Sequence, residues 1–190
     1  LNNLISIFAS GSGTNAQKII EHFSEHSSIH VNAVFTNKEN AGVVEIAKAY
    51  NIPVHYFPNE TFELGDDVLQ KLNEINTDYI VLAGFLRKIP ENIVHVYSNK
   101  IINIHPALLP KHGGKNMYGM RVHEAVLQSG DKETGITIHL VNEEYDKGQV
   151  LAQFSCPVTP EMDAEQIAKA VQELEHKYYK STIEKFIQHV

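Results

Sequence analysis

Along the chain, apolar runs of strand length alternate with stretches in which apolar side chains return every three or four positions. The runs near 4–9, 31–36, 54–57, 79–83 and 100–104 read as strands, and the stretches near 15–24, 43–50, 63–76 and 91–97 as the helices between them. Strand, helix, strand is the repeating unit of a parallel sheet, because a parallel return needs a crossover long enough to hold a helix. Past a glycine-rich segment, KHGGKNMYGM, come a short helix over 121–128 and two β-rich runs, TGITIHLV and QVLAQFSCPV, with the turn EEYDKG between them. A last helix, about 164–186, carries Ile167, Val171, Leu174, Tyr178 and Phe186 at roughly helical spacing. The expected fold is α/β, in three layers: a mostly parallel twisted sheet of about seven strands with helices on both faces.

Composition narrows the chemistry. With 190 residues, 43% of them apolar, the chain can bury a substantial core, and one domain over 1–190 is expected. A formal net charge of −7 argues against a surface built to neutralise a nucleic-acid backbone or an anionic membrane, so neither is expected as a partner. The single cysteine, Cys156, allows no internal disulfide and fits a reducing compartment, the cytoplasm. No apolar stretch approaches the roughly 20 residues that span a bilayer. His22, His26 and His30 repeat every fourth position, the spacing of a helical metal site, but Ser27 and Ser28 interrupt the helix they would need, and no metal is expected.

Three features carry candidate chemistry. The first is SGSGTN, Ser10 to Asn15, which with Ala16 reads G-x-G-x-x-A between a strand and a helix. Such a loop in a Rossmann-like N-terminal half offers backbone N–H groups and the positive end of a helix dipole to an anion. A dinucleotide also needs an acidic residue at the end of the second strand. Thr36, Asn37 and Lys38 stand there instead, so a compact monophosphate on Gly13, Thr14 and Asn15 is the better match, with a plain capped turn the alternative. The second feature is INIHP, in which Asn103 and His105 lie two apart on one strand and leave by the same face. An amide donor beside an imidazole suits an oxyanion and proton transfer. The third is Asp146, a turn carboxylate that gains a role only if folding brings it to His105.

FASGSGTNAQKII, VLAGFLRKIP, INIHPALLPKHGG, TGITIHLVNEEYDKGQVLAQ and ELEHKYY together resemble the phosphoribosylglycinamide formyltransferases, within the wider formyltransferase superfamily. The resemblance runs from the first strand to the last helix. It implies transfer of a formyl group from 10-formyltetrahydrofolate, as co-substrate, to the primary amine of 5'-phosphoribosylglycinamide in purine biosynthesis, through a tetrahedral intermediate and without a metal. By the same resemblance Asn103, His105 and Asp146 are catalytic. Gly13, Thr14 and Asn15 hold the phosphate, and Glu175, joined by Gln172, the ribose. The backbone of Leu86, Arg87, Ile89, Asn142 and Glu143 holds the pterin. Residues 1–100 would then form the nucleotide and phosphate half and 101–190 the catalytic and folate half, in a monomer or homodimer with small-molecule partners only.

Two departures from the resemblance stand out. PNETFELGDD lacks the basic residue that pairs with the folate glutamate tail in relatives, and KHGGKNMYGMRVHEA is longer than the common form, as a flap or a surface insertion would be. The alternatives are a formyltetrahydrofolate hydrolase, expected to carry an N-terminal regulatory domain, or a formyltransferase acting on another amine. Among the latter, a methionyl-transfer-RNA formyltransferase is expected to carry a second, nucleic-acid-binding domain.

Overall fold

Strand β1 (Asn3–Phe8) is buried from Ile5 to Phe8, as a strand covered on both faces must be. In the computed structural model, which describes residues 2–189, it pairs in parallel with β2 (Ile29–Thr36) and with β4 (Tyr79–Leu82), and β2 pairs in parallel with β3 (Val54–Tyr56). The helices α1 (Thr14–Phe23), α2 (Gly42–Ala49), α3 (Asn59–Leu64), α4 (Asp66–Glu74) and α5 (Glu91–Val96) alternate with these strands. Together they make a compact unit, Leu1–Ile102. At its heart Phe8 stacks on Phe35 with ring centroids 4.8 Å apart and meets Phe85 edge-on at 5.5 Å, while Phe85 meets Phe62 at 4.9 Å. Ring packing thus fixes Phe8, the last residue of β1, just ahead of the glycine loop.

The second unit, Asn103–Val190, takes in the end of β5 (Ile101–His105), then α6 (Met120–Ser129), β6 (Glu133–Leu140), β7 (Val150–Pro157) and α7 (Ala164–Gln188). β6 and β7 are antiparallel, with an irregularity between Ile138 and His139. α7, 25 residues long, opens on a capping box in which Asp163 and Gln166 satisfy each other's backbone N–H groups. The strand order of the seven-stranded sheet is β3-β2-β1-β4-β5-β6-β7. The α/β class and the mostly parallel sheet therefore agree with the hydrophobic pattern.

Boundaries differ from the pattern where local chemistry intervenes. The helix expected over 63–76 is two helices, because Gly65 between them adopts φ 78°. β5 runs one residue further than the pattern suggests, which puts His105 inside the strand. α1 ends at Phe23, and His26 then accepts the backbone N–H groups of Ser28 and Ile29 at its Nδ1. His22, His26 and His30 thus share no helix, and among the described residues no group of three or more His, Cys, Asp or Glu could hold a metal ion. Among the same residues, no helix is long and apolar enough to cross a membrane.

Candidate active site

In the first unit the glycine loop ends at Gly13, the N-cap of α1, with φ 81° and ψ 15°. A β-carbon there would sit 2.7 Å from Val43 Cα and 2.8 Å from Val43 Cβ, so α2 closes against the loop and only glycine fits. Glycine has no side chain to cap the first turn, and no acidic residue stands in that turn. An anion can fill both roles. Thr14 and Asn15 open the helix itself, so their backbone and side chains stand beside that position.

The position where a dinucleotide fold needs its acid is instead committed to an internal amide relay. Ser10 Oγ donates to Asn37 Oδ1 at 2.7 Å, and Asn37 Nδ2 donates to Asn59 Oδ1 at 2.8 Å. Ser10 Oγ also accepts the backbone N–H of Leu86 at 3.2 Å. What Leu86 can offer a heterocycle is therefore its carbonyl and its side chain, which is 47% exposed, whereas Ile89 is buried. Arg87 reaches Asn59 Oδ1 through Nε at 3.0 Å and Glu63 through Nη2 at 3.2 Å. The segment that lacks a basic residue of its own is thus faced by one from another element.

The second unit gathers the catalytic candidates around one carboxylate. Asp146, at φ 55°, accepts the backbone N–H of Gly114 at Oδ2 (2.8 Å). The same Oδ2 lies 3.6 Å from His105 Nδ1, and Oδ1 lies 3.7 Å from His139 Nε2. The D-x-G spacing has a steric cause: a β-carbon on Gly148 would fall 1.7 Å from the Leu140 carbonyl oxygen, so only glycine lets this turn close on β6.

Hydrogen positions follow from the acceptors. His139 Nδ1 lies 2.9 Å from the Leu140 carbonyl, which can only accept, so Nδ1 carries the hydrogen. Burial holds the His139 imidazole below its ordinary pKa, against smaller opposing contributions from that carbonyl and from Asp146, and the neutral ring has a bare Nε2. Asn103 Nδ2, 3.2 Å away, must then donate to it. This fixes which way the Asn103 amide faces and leaves it a second N–H. His105 Nε2 lies 2.8 Å from the His112 carbonyl and by the same reasoning donates to it.

A sequence model described as Formyl transferase matches residues 3–183. The chain belongs to the formyl transferase family. It is 42% identical over 181 residues to the chloroplastic phosphoribosylglycinamide formyltransferase of Arabidopsis thaliana, covering 92% of this chain but only 62% of that relative's length. To the phosphoribosylglycinamide formyltransferase of Haemophilus influenzae it is 34% identical over 187 residues, covering 96% of this chain and 86% of the relative. The crystal structure of phosphoribosylglycinamide formyltransferase from Brucella melitensis is similar with a TM-score of 0.88 at 34% identity, over 98% of this chain and 96% of that one.

The remaining candidates lie on the surface of the second unit. Asn142 and Glu143 are exposed in the β6–β7 connection, where Asn142 Oδ1 accepts the Glu144 N–H at 3.0 Å. Gln172 is exposed and Glu175 half-buried on α7, and after burial itself the Glu175 charge helps hold the buried Tyr179 hydroxyl far above its ordinary pKa. His139, His112 and Asp131 escaped the sequence reading. The available signal was Thr137 and His139, polar residues two apart that alternate with Ile136, Ile138 and Leu140 in a buried strand. Thr137 Oγ1 donates to the Ala107 carbonyl (2.7 Å) and accepts from the Leu109 N–H and from Gln153 Nε2 (both 2.9 Å), pinning the turn after His105 to β6.

Proposed function

We propose that this chain transfers a formyl group from 10-formyltetrahydrofolate to the primary amine of 5'-phosphoribosylglycinamide, a step of de novo purine biosynthesis. The observation that carries the reading is the Asp146 carboxylate, held by the Gly114 N–H within reach of both His105 and His139, with Asn103 oriented by His139. The names of the relatives point to the acceptor and to the formyl group, and the folate donor is what the resemblance implies.

The formyl folate, as co-substrate, supplies an activated one-carbon carbonyl. Attack by the amine forms a carbon–nitrogen bond and places negative charge on the formyl oxygen. The second Asn103 N–H donates to that oxygen, and His105, whose Nε2–H is committed to the His112 carbonyl, donates from Nδ1 once that nitrogen has taken up a proton. As the tetrahedral intermediate collapses, the bond from the formyl carbon to the folate nitrogen breaks, and the proton that the attacking amine loses is passed to that departing nitrogen by Asp146 with His105. Their separation of 3.6 Å is one that tightens when reactants bind. Gly13, Thr14 and Asn15 hold the phosphate, and Glu175 with Gln172 the ribose. The pterin lies against the main chain of Leu86, Arg87, Ile89, Asn142 and Glu143. In this reading residues 1–100 form the phosphate-holding half and 101–190 the half with the catalytic residues, the ribose contacts and the Asn142–Glu143 part of the folate site, in a cytoplasmic monomer or homodimer that takes small molecules only.

The test is turnover with 5'-phosphoribosylglycinamide and 10-formyltetrahydrofolate, following deformylated folate, beside a run without the nucleotide. Product only in the complete mixture supports the proposal. Equal product without the nucleotide makes the chain a hydrolase, and no product in either run refutes formyl transfer from this donor to this acceptor.

A further inference from the structure

The His105 hydrogen bond rests on an improbable piece of backbone. The carbonyl that receives Nε2–H belongs to His112, whose φ is 53°, in the left-handed region that side chains with a β-carbon seldom adopt. Two glycines, Gly113 and Gly114, follow it and offer no stiffness. The restraint comes from the side chains. His112 Nε2 donates to Asp131 Oδ2 at 2.8 Å, and Lys111 Nζ donates to Asp131 Oδ1 at 2.8 Å. One carboxylate therefore grips two consecutive side chains. Asp131 itself is placed just beyond the left-handed Gly130 that ends α6, with its own N–H bonded to Ser129 Oγ at 3.3 Å. Its neighbours, Lys111 first and His112 second, hold its carboxyl well below the usual carboxylate range.

We infer that Asp131, acting through His112, is a positioning residue that fixes the tautomer of His105: it holds the residue-112 carbonyl against Nε2–H and so keeps Nδ1 as the nitrogen facing Asp146. If the clamp lets go, His112 is free to relax toward ordinary backbone geometry. Its carbonyl then leaves Nε2, and the imidazole hydrogen redistributes between the two nitrogens. The consequence for turnover rests on the formyl-transfer proposal. The tautomer itself does not.

The test uses the full chain labelled with nitrogen-15 histidine, read by long-range nitrogen–proton spectra without substrate, with the His105 signals assigned by their loss in His105→Gln. The native protein is expected to show His105 with its hydrogen on Nε2. In Asp131→Ala and in His112→Asn, whose asparagine tolerates the left-handed backbone but is too short to reach Asp131, the Nε2–H signal is expected to exchange with solvent as the Nδ1–H form grows. Turnover in each should fall about tenfold, the size of one charge-assisted hydrogen bond, with KM for both substrates within about twofold. The double variant should be no slower than either single one, since both remove the same link. Persistence of the Nε2–H form in both variants overturns the inference, as does multiplication of the two losses. Should Asp131→Ala fail to fold, His112→Asn alone breaks the same link, and an unchanged His105 spectrum in that variant overturns the inference equally. If the native chain proves inactive on these substrates, the activity proposal falls while the spectra still judge the clamp.

Discussion

Gly13→Ala and Gly11→Ala, two substitutions in one loop, should act with opposite sign. At Gly13 the backbone sits at φ 81° and an added methyl meets Val43 Cα at 2.7 Å, Val43 Cβ at 2.8 Å and Ile46 Cδ1 at 3.0 Å. Holding an L-residue in that conformation costs about 1–2 kcal/mol. Forcing the methyl against the α2 backbone adds about 1–3 kcal/mol, so Gly13→Ala should lose roughly 2–5 kcal/mol. At Gly11 the φ is ordinary and a β-carbon meets nothing within 4 Å. There alanine only narrows the unfolded ensemble, a gain of up to about 1 kcal/mol. Urea unfolding separates the two. With a slope near 2 kcal/mol per molar, Gly13→Ala should lower the midpoint by about 1–2.5 M, and Gly11→Ala should leave it unchanged or raise it by up to about 0.5 M. Because the Gly13 N–H helps cradle the phosphate in the proposed function, the first variant should also raise KM for the nucleotide more than it lowers kcat. Equal midpoint shifts in the two variants, or a loss below about 0.5 kcal/mol at Gly13, would refute the argument that close approach of α2 dictates this glycine.

Three further outcomes follow from the second unit. His105→Ala and Asp146→Asn should each cut kcat by about 10²–10⁴ while nucleotide affinity, measured by calorimetry, changes little, and unchanged turnover in either removes that residue from the chemistry. Thr137→Val should cost about 2–4 kcal/mol in urea unfolding, because it strands the Leu109 N–H and the Ala107 carbonyl beside β6; a loss under about 1 kcal/mol would mean that this turn is held elsewhere. Burial holds both His123 and His139 below the ordinary value of 6.5, His123 having no partner for its Nδ1 among the described residues. The unfolded chain protonates these rings first, so their contribution is complete above about pH 6.5 and is lost as the pH falls below it. The urea midpoint should therefore drop between about pH 7.5 and about pH 5.5, and His123→Gln should flatten the drop; an unchanged slope in that variant would show that His123 does not carry it.

What the amino-acid order determined by itself was what local physics decides. Continuous apolar runs such as β1 fixed the buried parallel strands, and the three-to-four spacing of α7 fixed a helix with one buried stripe. The glycine loop and the missing acid after β2 pointed away from a dinucleotide, because both signals depend on residues close in sequence. Asn103 and His105 were legible as a pair for the same reason, lying two apart on one strand. Tertiary structure alone decided what surrounds them. Asp146 reaches His105 only because Gly148 lets its turn close on the Leu140 carbonyl, and the Asn103 amide is oriented by His139, a strand away. The carbonyl that sets the His105 hydrogen is held by Asp131, 19 positions beyond His112 in sequence. Such contacts leave no period in the chain, since hydrogen-bond partners are chosen by distance and acceptor geometry in the folded state, and a lone aspartate or histidine reads the same in a turn as in a site.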